Sequence, residues 1–237
     1  MSHKKNKDSE TEEKLAGQAL GKYKELYNFR EWKRMTEAEA IKTLKNFLQI
    51  ADILEDDIRL ARAQNQQAPS EYSKRVLIKT IFTFFEGHLY AFKQVVLAFE
   101  YILNPGKNLV PGAKESRMVL FTEEERVYLE GFVFVGSNEK ARKQYLKFKD
   151  DIKSTAQIFY KAIQQQNEVD FKSEGWTQLM ETQKIRDRVT HPKTAEALKI
   201  SEEEMKTVNA GYNWYVKTIN RMLESLGKSN LGSRFGF

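Results

Sequence analysis

Cysteine is absent from the 237 residues, which excludes disulfides, thiolate nucleophiles and zinc sites built on sulfur. Proline and glycine are scarce, at four and twelve. So few turn formers cannot punctuate an all-β sandwich or barrel, and their scarcity points to long helices. Histidine occurs three times. His3 lies in a charged N-terminal stretch, and His88 and His191 are far apart in the chain, so no metal site is expected. No glycine-rich nucleotide loop is present either, and no cofactor is expected.

Long apolar runs are missing as well. The most apolar segment, Val76 to Leu103, is interrupted by Lys79, Glu86, His88, Lys93 and Glu100. It falls short of the roughly 18 uncharged apolar residues that a spanning helix needs. Met1 to Asp8 carries positive charge with no apolar stretch behind it, unlike a secretory leader. A cytoplasmic protein without membrane contact is the expectation.

What the chain does have is charge. Charged residues make up 30%, apolar residues 41%, and the net charge is +6, a balance that fits a charge-dense helical protein and favours a polyanionic partner such as RNA. The most basic stretch, Ser137 to Gln166, holds Lys140, Arg142, Lys143, Lys147, Lys149, Lys153 and Lys161 against Glu139, Asp150 and Asp151. A solvated helix face is the first reading of it, and a phosphate track the second.

Helical spacing organises most of the chain. Residues 1–35 read as an N-terminal arm, with a short helix from Glu10 to Tyr27, and 36–230 as one bundle. Thr36-Glu37-Ala38-Glu39 opens a helix to about residue 65, where Gln67-Ala68-Pro69 stops it. Ser70 caps a second long helix to Leu103, apolar around most of its circumference except for a polar stripe at Lys79, Glu86, Lys93 and Glu100. Gly87 inside it suggests a neighbouring backbone at close range. The aromatic residues Phe82, Phe84, Phe85, Tyr90, Phe92, Phe99 and Tyr101 read as core, and His88 among them as a core histidine.

Residues 104–138 form an irregular insertion in which Met118 to Phe121 and Gly131 to Val135 are candidate strands. Thr122-Glu123-Glu124-Glu125 reads as a capping box for a short helix between them. A further long helix is expected from Asn138 to about Gln166, and a shorter one from Ser173 to His191, ended by Pro192. Ser201-Glu202-Glu203-Glu204 opens the last helix, where Met205, Val208, Tyr212, Tyr215, Ile219, Met222 and Leu226 form a seam. The seam packs either within the chain or on a second copy. The fold class expected is all-α: an up-and-down bundle of four long helices with short ones and one irregular insertion.

One constellation carries chemistry. Arg186-Asp187-Arg188-Val189-Thr190-His191-Pro192 places an arginine and a histidine five positions apart at a helix end. RNA cleavage by the neighbouring 2′-hydroxyl needs a proton acceptor and cations on the phosphate oxygens, which histidine and arginine supply. On a regular helix residues 186 and 191 lie about 140° apart, so the helix has to loosen near Pro192 for the two to converge. Asp187 shares a face with His191 and is a candidate to orient the imidazole.

At these residues the chain resembles the HEPN superfamily, helical bundles whose ribonuclease members carry Arg-polar-x3-His at the end of a helix. The resemblance extends to a long apolar helix bearing an acidic residue, Glu86, ahead of the motif. It implies a metal-independent endoribonuclease, a toxin or phage-defence effector, active as a homodimer with a composite site and open to restraint by an antitoxin or regulatory protein. It implies catalytic roles for Arg186 and His191 with Asp187 orienting, and makes Glu86, Arg188 and Tyr90 candidate supporting residues. The alternative within the same fold is a non-catalytic module that binds RNA, a nucleotide or a protein.

Overall fold

Ala91, Phe84, Phe92, Phe85, Leu89 and Phe82 fan out over roughly half the circumference of one helix, and all are buried. So broad an apolar arc must be covered from several directions, and the other elements supply that cover. The computed structural model describes residues 37–103, 121–135 and 142–229. Within them the chain is an all-α bundle of six helices, α1 (Glu37–Gln67), α2 (Glu71–Leu103), α3 (Glu123–Leu129), α4 (Phe148–Ala162), α5 (Glu174–Thr190) and α6 (Glu202–Gly227). A two-stranded antiparallel hairpin, β1 (Phe132–Val135) and β2 (Arg142–Tyr145), joins α3 to α4.

Helix α2 is the axis. Helix α1 folds back along it after a three-residue link, and α5 and α6 make a second hairpin that packs with α3 and α4 against its other sides. The link is tight because the Ser70 hydroxyl accepts from the Ser73 backbone N–H at 3.0 Å, while the Ser73 hydroxyl donates to Asn65 at 2.8 Å. Capping boxes at Thr122 and Ser201 fix the starts of α3 and α6, and Ser173 caps α5. The α6 seam is buried inside the chain, with Met205, Val208, Tyr215, Ile219, Met222 and Leu226 all in the core and Tyr212 half-buried.

The expected helix from Asn138 starts later and ends earlier, at Phe148 and Ala162. Arg142 to Tyr145 instead pairs with Phe132 to Val135, in the register Phe132 opposite Tyr145 and Val135 opposite Arg142. Strand pairing satisfies the backbone there, and Leu146 closes the ladder by donating to the Gly131 carbonyl at 3.0 Å. The bundle therefore has fewer long helices than expected: α4, at 15 residues, is half the length of α1 or α2. The N-terminal arm, the Thr36 cap and Met118 to Leu120 lie outside the described residues.

Close helix approach occurs where glycine allows it. A Cβ on Gly211 of α6 would stand 2.9 Å from the Leu179 Cα and 2.7 Å from the Thr182 hydroxyl of α5. One turn further along the same pair, the Trp214 ring of α6 lies against Gly175 of α5, and the Trp214 indole donates to Ser173 at 3.0 Å. Gly87 differs from the expectation, since its neighbour is the Leu54 side chain at 3.0 Å and not a backbone.

His88 is a core residue. Its ring lies between Phe47 and Phe84, with centroids 4.9 and 5.0 Å away, and its Nδ1 is 3.3 Å from the Tyr215 hydroxyl. That hydroxyl donates to the Phe85 carbonyl at 3.4 Å, which leaves its oxygen to accept from an Nδ1–H. Burial pushes the imidazole down from 6.5 to about 4.

Two outcomes follow from this packing. Gly211→Ala gains about 1 kcal/mol of helix propensity but collides with immovable backbone at a typical overpacking cost of about 1–3 kcal/mol, so thermal melting should fall. Gly87→Ala meets only a half-buried leucine tip and should not lower it; equal destabilisation by both would contradict this account. For His88, the folded protein binds fewer protons than the unfolded chain between about 4 and 6.5. Its contribution is thus fully present above 6.5 and is lost as the pH falls towards 4, amounting to roughly 2 kcal/mol between pH 7 and 5. Urea unfolding at both pH values should show a smaller loss for His88→Phe than for the wild type, and parallel losses would remove His88 as the cause.

Candidate functional site

Helix α5 carries the motif on its last turns, and Pro192 ends it as its ring geometry requires. His191 is the C-cap, at φ −124° and ψ 61°, outside helical geometry, and its backbone N–H donates to the Asp187 carbonyl at 2.9 Å. The imidazole is exposed and makes no hydrogen bond among the described residues. Five residues of helix put it roughly 7.5 Å further along the axis than Arg186.

Arg186 is held from three sides. One guanidinium nitrogen donates to the Glu86 carboxylate of α2 at 2.7 Å, the other lies 3.1 Å from Asp187, and the plane stacks on the Phe82 ring at 4.4 Å. Its Nε is buried without a partner. The stack on a buried phenylalanine fixes the plane of the fork, which a lysine could not reproduce. Glu86 and Arg186, one hundred positions apart in sequence, are thus brought together. Asp187, placed by its spacing beside His191, directs its carboxylate to Arg186.

Arg188 serves the scaffold. It donates to the carbonyls of Ala197 and Lys199 and pairs with Glu204, the residue that completes the α6 capping box. From the other side, Lys74 donates to the Ile200 carbonyl at 3.1 Å, Arg75 to that of Leu198 at 3.0 Å, and Glu71 accepts from the Ile200 N–H at 2.6 Å. The chain after His191 is therefore tied at both its flanks to the bundle.

Glu86, Arg186 and Asp187 stand at one side of a cleft of about 790 Å³ between α2, the hairpin and α5. Tyr90, expected among the core aromatics, is exposed and lines it too, because it falls on the polar stripe of α2. His191 is not among its lining residues. Lys93, expected on the solvated stripe of α2, is instead 3% exposed, and its ammonium donates to both oxygens of Asp151 at 2.8 Å. The hairpin covers it: Gly131, at φ +83°, has room for the Lys93 ammonium, which sits 3.0 Å from where a Cβ would be. Burial raises the Asp151 carboxyl above the usual range against the opposing pull of Lys93. Sequence reasoning missed this pair, and the seven-residue recurrence of charges on α2 pointed away from it.

The basic stretch is broken up. Lys153 lies over the rings of Phe171 and Trp176, each at 5.6 Å, and Lys161 pairs with Glu125 at 2.7 Å. Lys147 and Lys149 remain exposed, and Lys140 falls outside the described residues. No helix among the described residues is long and apolar enough to cross a membrane. No family model matches the chain, and no curated protein or solved structure matches it.

Asp151→Asn should leave a buried ammonium uncompensated and cost about 3–5 kcal/mol in urea unfolding, whereas replacing both partners, Lys93→Met with Asp151→Leu, should recover most of that loss. A double variant no more stable than the single one would show that the pair is not held by mutual charge.

Proposed function

We propose that the protein is a metal-independent endoribonuclease of the HEPN type. The reading rests on one observation above all: the stacked, carboxylate-held Arg186 on the same helix end as an exposed, non-helical His191. In the reaction the 2′-oxygen attacks phosphorus and the bond to the 5′-oxygen breaks, giving a 2′,3′-cyclic phosphate and a 5′-hydroxyl. The 2′ proton passes to a neutral imidazole, and a protonated one supplies the leaving oxygen. Arg186 meets the charge on the non-bridging oxygens. A homodimer supplies both imidazoles from two copies of His191.

In this reading Glu86 positions Arg186 through the ion pair, and Asp187 acts on the arginine before it acts on the histidine. Phosphate takes the place of a carboxylate on the fork and can engage both guanidinium nitrogens at once, where Glu86 and Asp187 take one each. Regulation by an antitoxin-like partner and a role as toxin or phage-defence effector belong to the same proposal.

A second reading has its own support. The Arg186 fork already has a carboxylate on each side, as in a module that binds and does not cleave. The test separates the two. Purified protein incubated with labelled single-stranded RNA in EDTA should yield cyclic-phosphate ends, and Arg186→Ala or His191→Ala should each slow cleavage by about 10²-fold or more. Cleavage untouched by both substitutions would falsify the assignment, and RNA binding without cleavage would favour the module.

A further inference from the structure

The cleft beside Arg186 contains chemistry that strand cleavage leaves unused. Its charged groups are already committed: Asp151 to Lys93, Glu86 and Asp187 to Arg186, and Glu130 also has a partner. What remains is neutral. The carboxamides of Gln94 and Gln183 line the cleft and make no hydrogen bond among the described residues. Tyr145 is 76% exposed, and its ring lies 4.8 Å from that of Phe132, its partner across the hairpin. Both rings line the same cleft.

The two rings are tilted by 38°, so Tyr145 alone presents its face outward. An exposed aromatic face with uncommitted donor-acceptor amides is the chemistry that recognises a nucleobase, by stacking on its face and hydrogen bonding at its edge. A cationic ligand would need free carboxylates, and these are paired. The volume, about 790 Å³, falls within the range of small-ligand sites. We infer that the hairpin cleft holds one unpaired base of single-stranded RNA, stacked on Tyr145, which Phe132 backs, and read by Gln94 and Gln183, beside the phosphate on Arg186. The inference builds on the reading of Arg186 as a phosphate clamp. It makes the hairpin the determinant of cleavage position, since a base within a duplex offers neither a free face nor a free pairing edge.

The test uses the full chain carrying His191→Ala, so that substrate persists, with fluorescein-labelled oligo(A), oligo(C), oligo(U) and a duplex, followed by fluorescence anisotropy. Single strands should bind more tightly than the duplex. Tyr145→Ala should weaken single-strand binding by roughly 10-fold or more and Tyr145→Phe should retain it, the span expected for one stacked base. Gln183→Leu should change the ranking of the three oligonucleotides. Because Tyr145 is on the surface, circular dichroism should report unchanged folding. Affinities and ranking unmoved by these substitutions, or a duplex bound as well as a single strand, would overturn the inference. If the unsubstituted protein still cleaves RNA in that case, the ribonuclease reading survives alone. Binding that depends on Tyr145 with no cleavage by the wild type would leave the base site standing and remove the ribonuclease.

Discussion

The need to cover a broad apolar arc on one helix governs this structure. Helix α2 presents aromatic or branched residues over roughly half its circumference, more than a single neighbouring helix can cover. Helix α1 covers one side, α5 and α6 another, and α3 and α4 close the rest. Only a few polar positions on α2 escape this demand, and they define the site. Glu86 stays at the edge of the cover, so it can reach Arg186. Lys93, one step of the same stripe further on, is enclosed and has to bring Asp151 with it.

Much of this was legible from spacing and caps. The bounds of α1 and α2, the capping boxes at Thr122 and Ser201, and the α6 seam all rest on local rules, a cap side chain or a repeat of three and four, that hold before tertiary packing is known. What was not legible depended on distant partners. Arg142 to Tyr145 is a strand because Phe132 to Val135 lies beside it, and nothing within its own lysine-rich sequence forbids a helix. The room at Gly211 is visible only once Leu179 is opposite, and the burial of Lys93 only once Gly131 and Asp151 close over it.

The motif was legible in the same uneven way. A proline after His191 sufficed to place the histidine at a helix end with non-helical geometry. Its spacing also put Asp187 and His191 on one face, but spacing ignores how far a long side chain can fold back, and the Arg186 guanidinium reaches the Asp187 carboxylate. Glu86 and Arg186 were each singled out on separate grounds, and their meeting needed the packing of α5 on α2. Arg188 shows the converse: a charged residue inside a chemical motif can be spent on capping and loop anchorage.

Helix α1 packs on α2 and is tied to α6 near its C-terminal end, where Arg62 stacks on Tyr212 at 4.6 Å and reaches Asn209 at 3.4 Å. Along its outer side Ile41, Leu48, Ile53 and Leu60 are open to water. With one side against its neighbour and the other against solvent, α1 is the thinner-walled of the two long helices, and its amide protons should exchange with solvent ahead of those of α2.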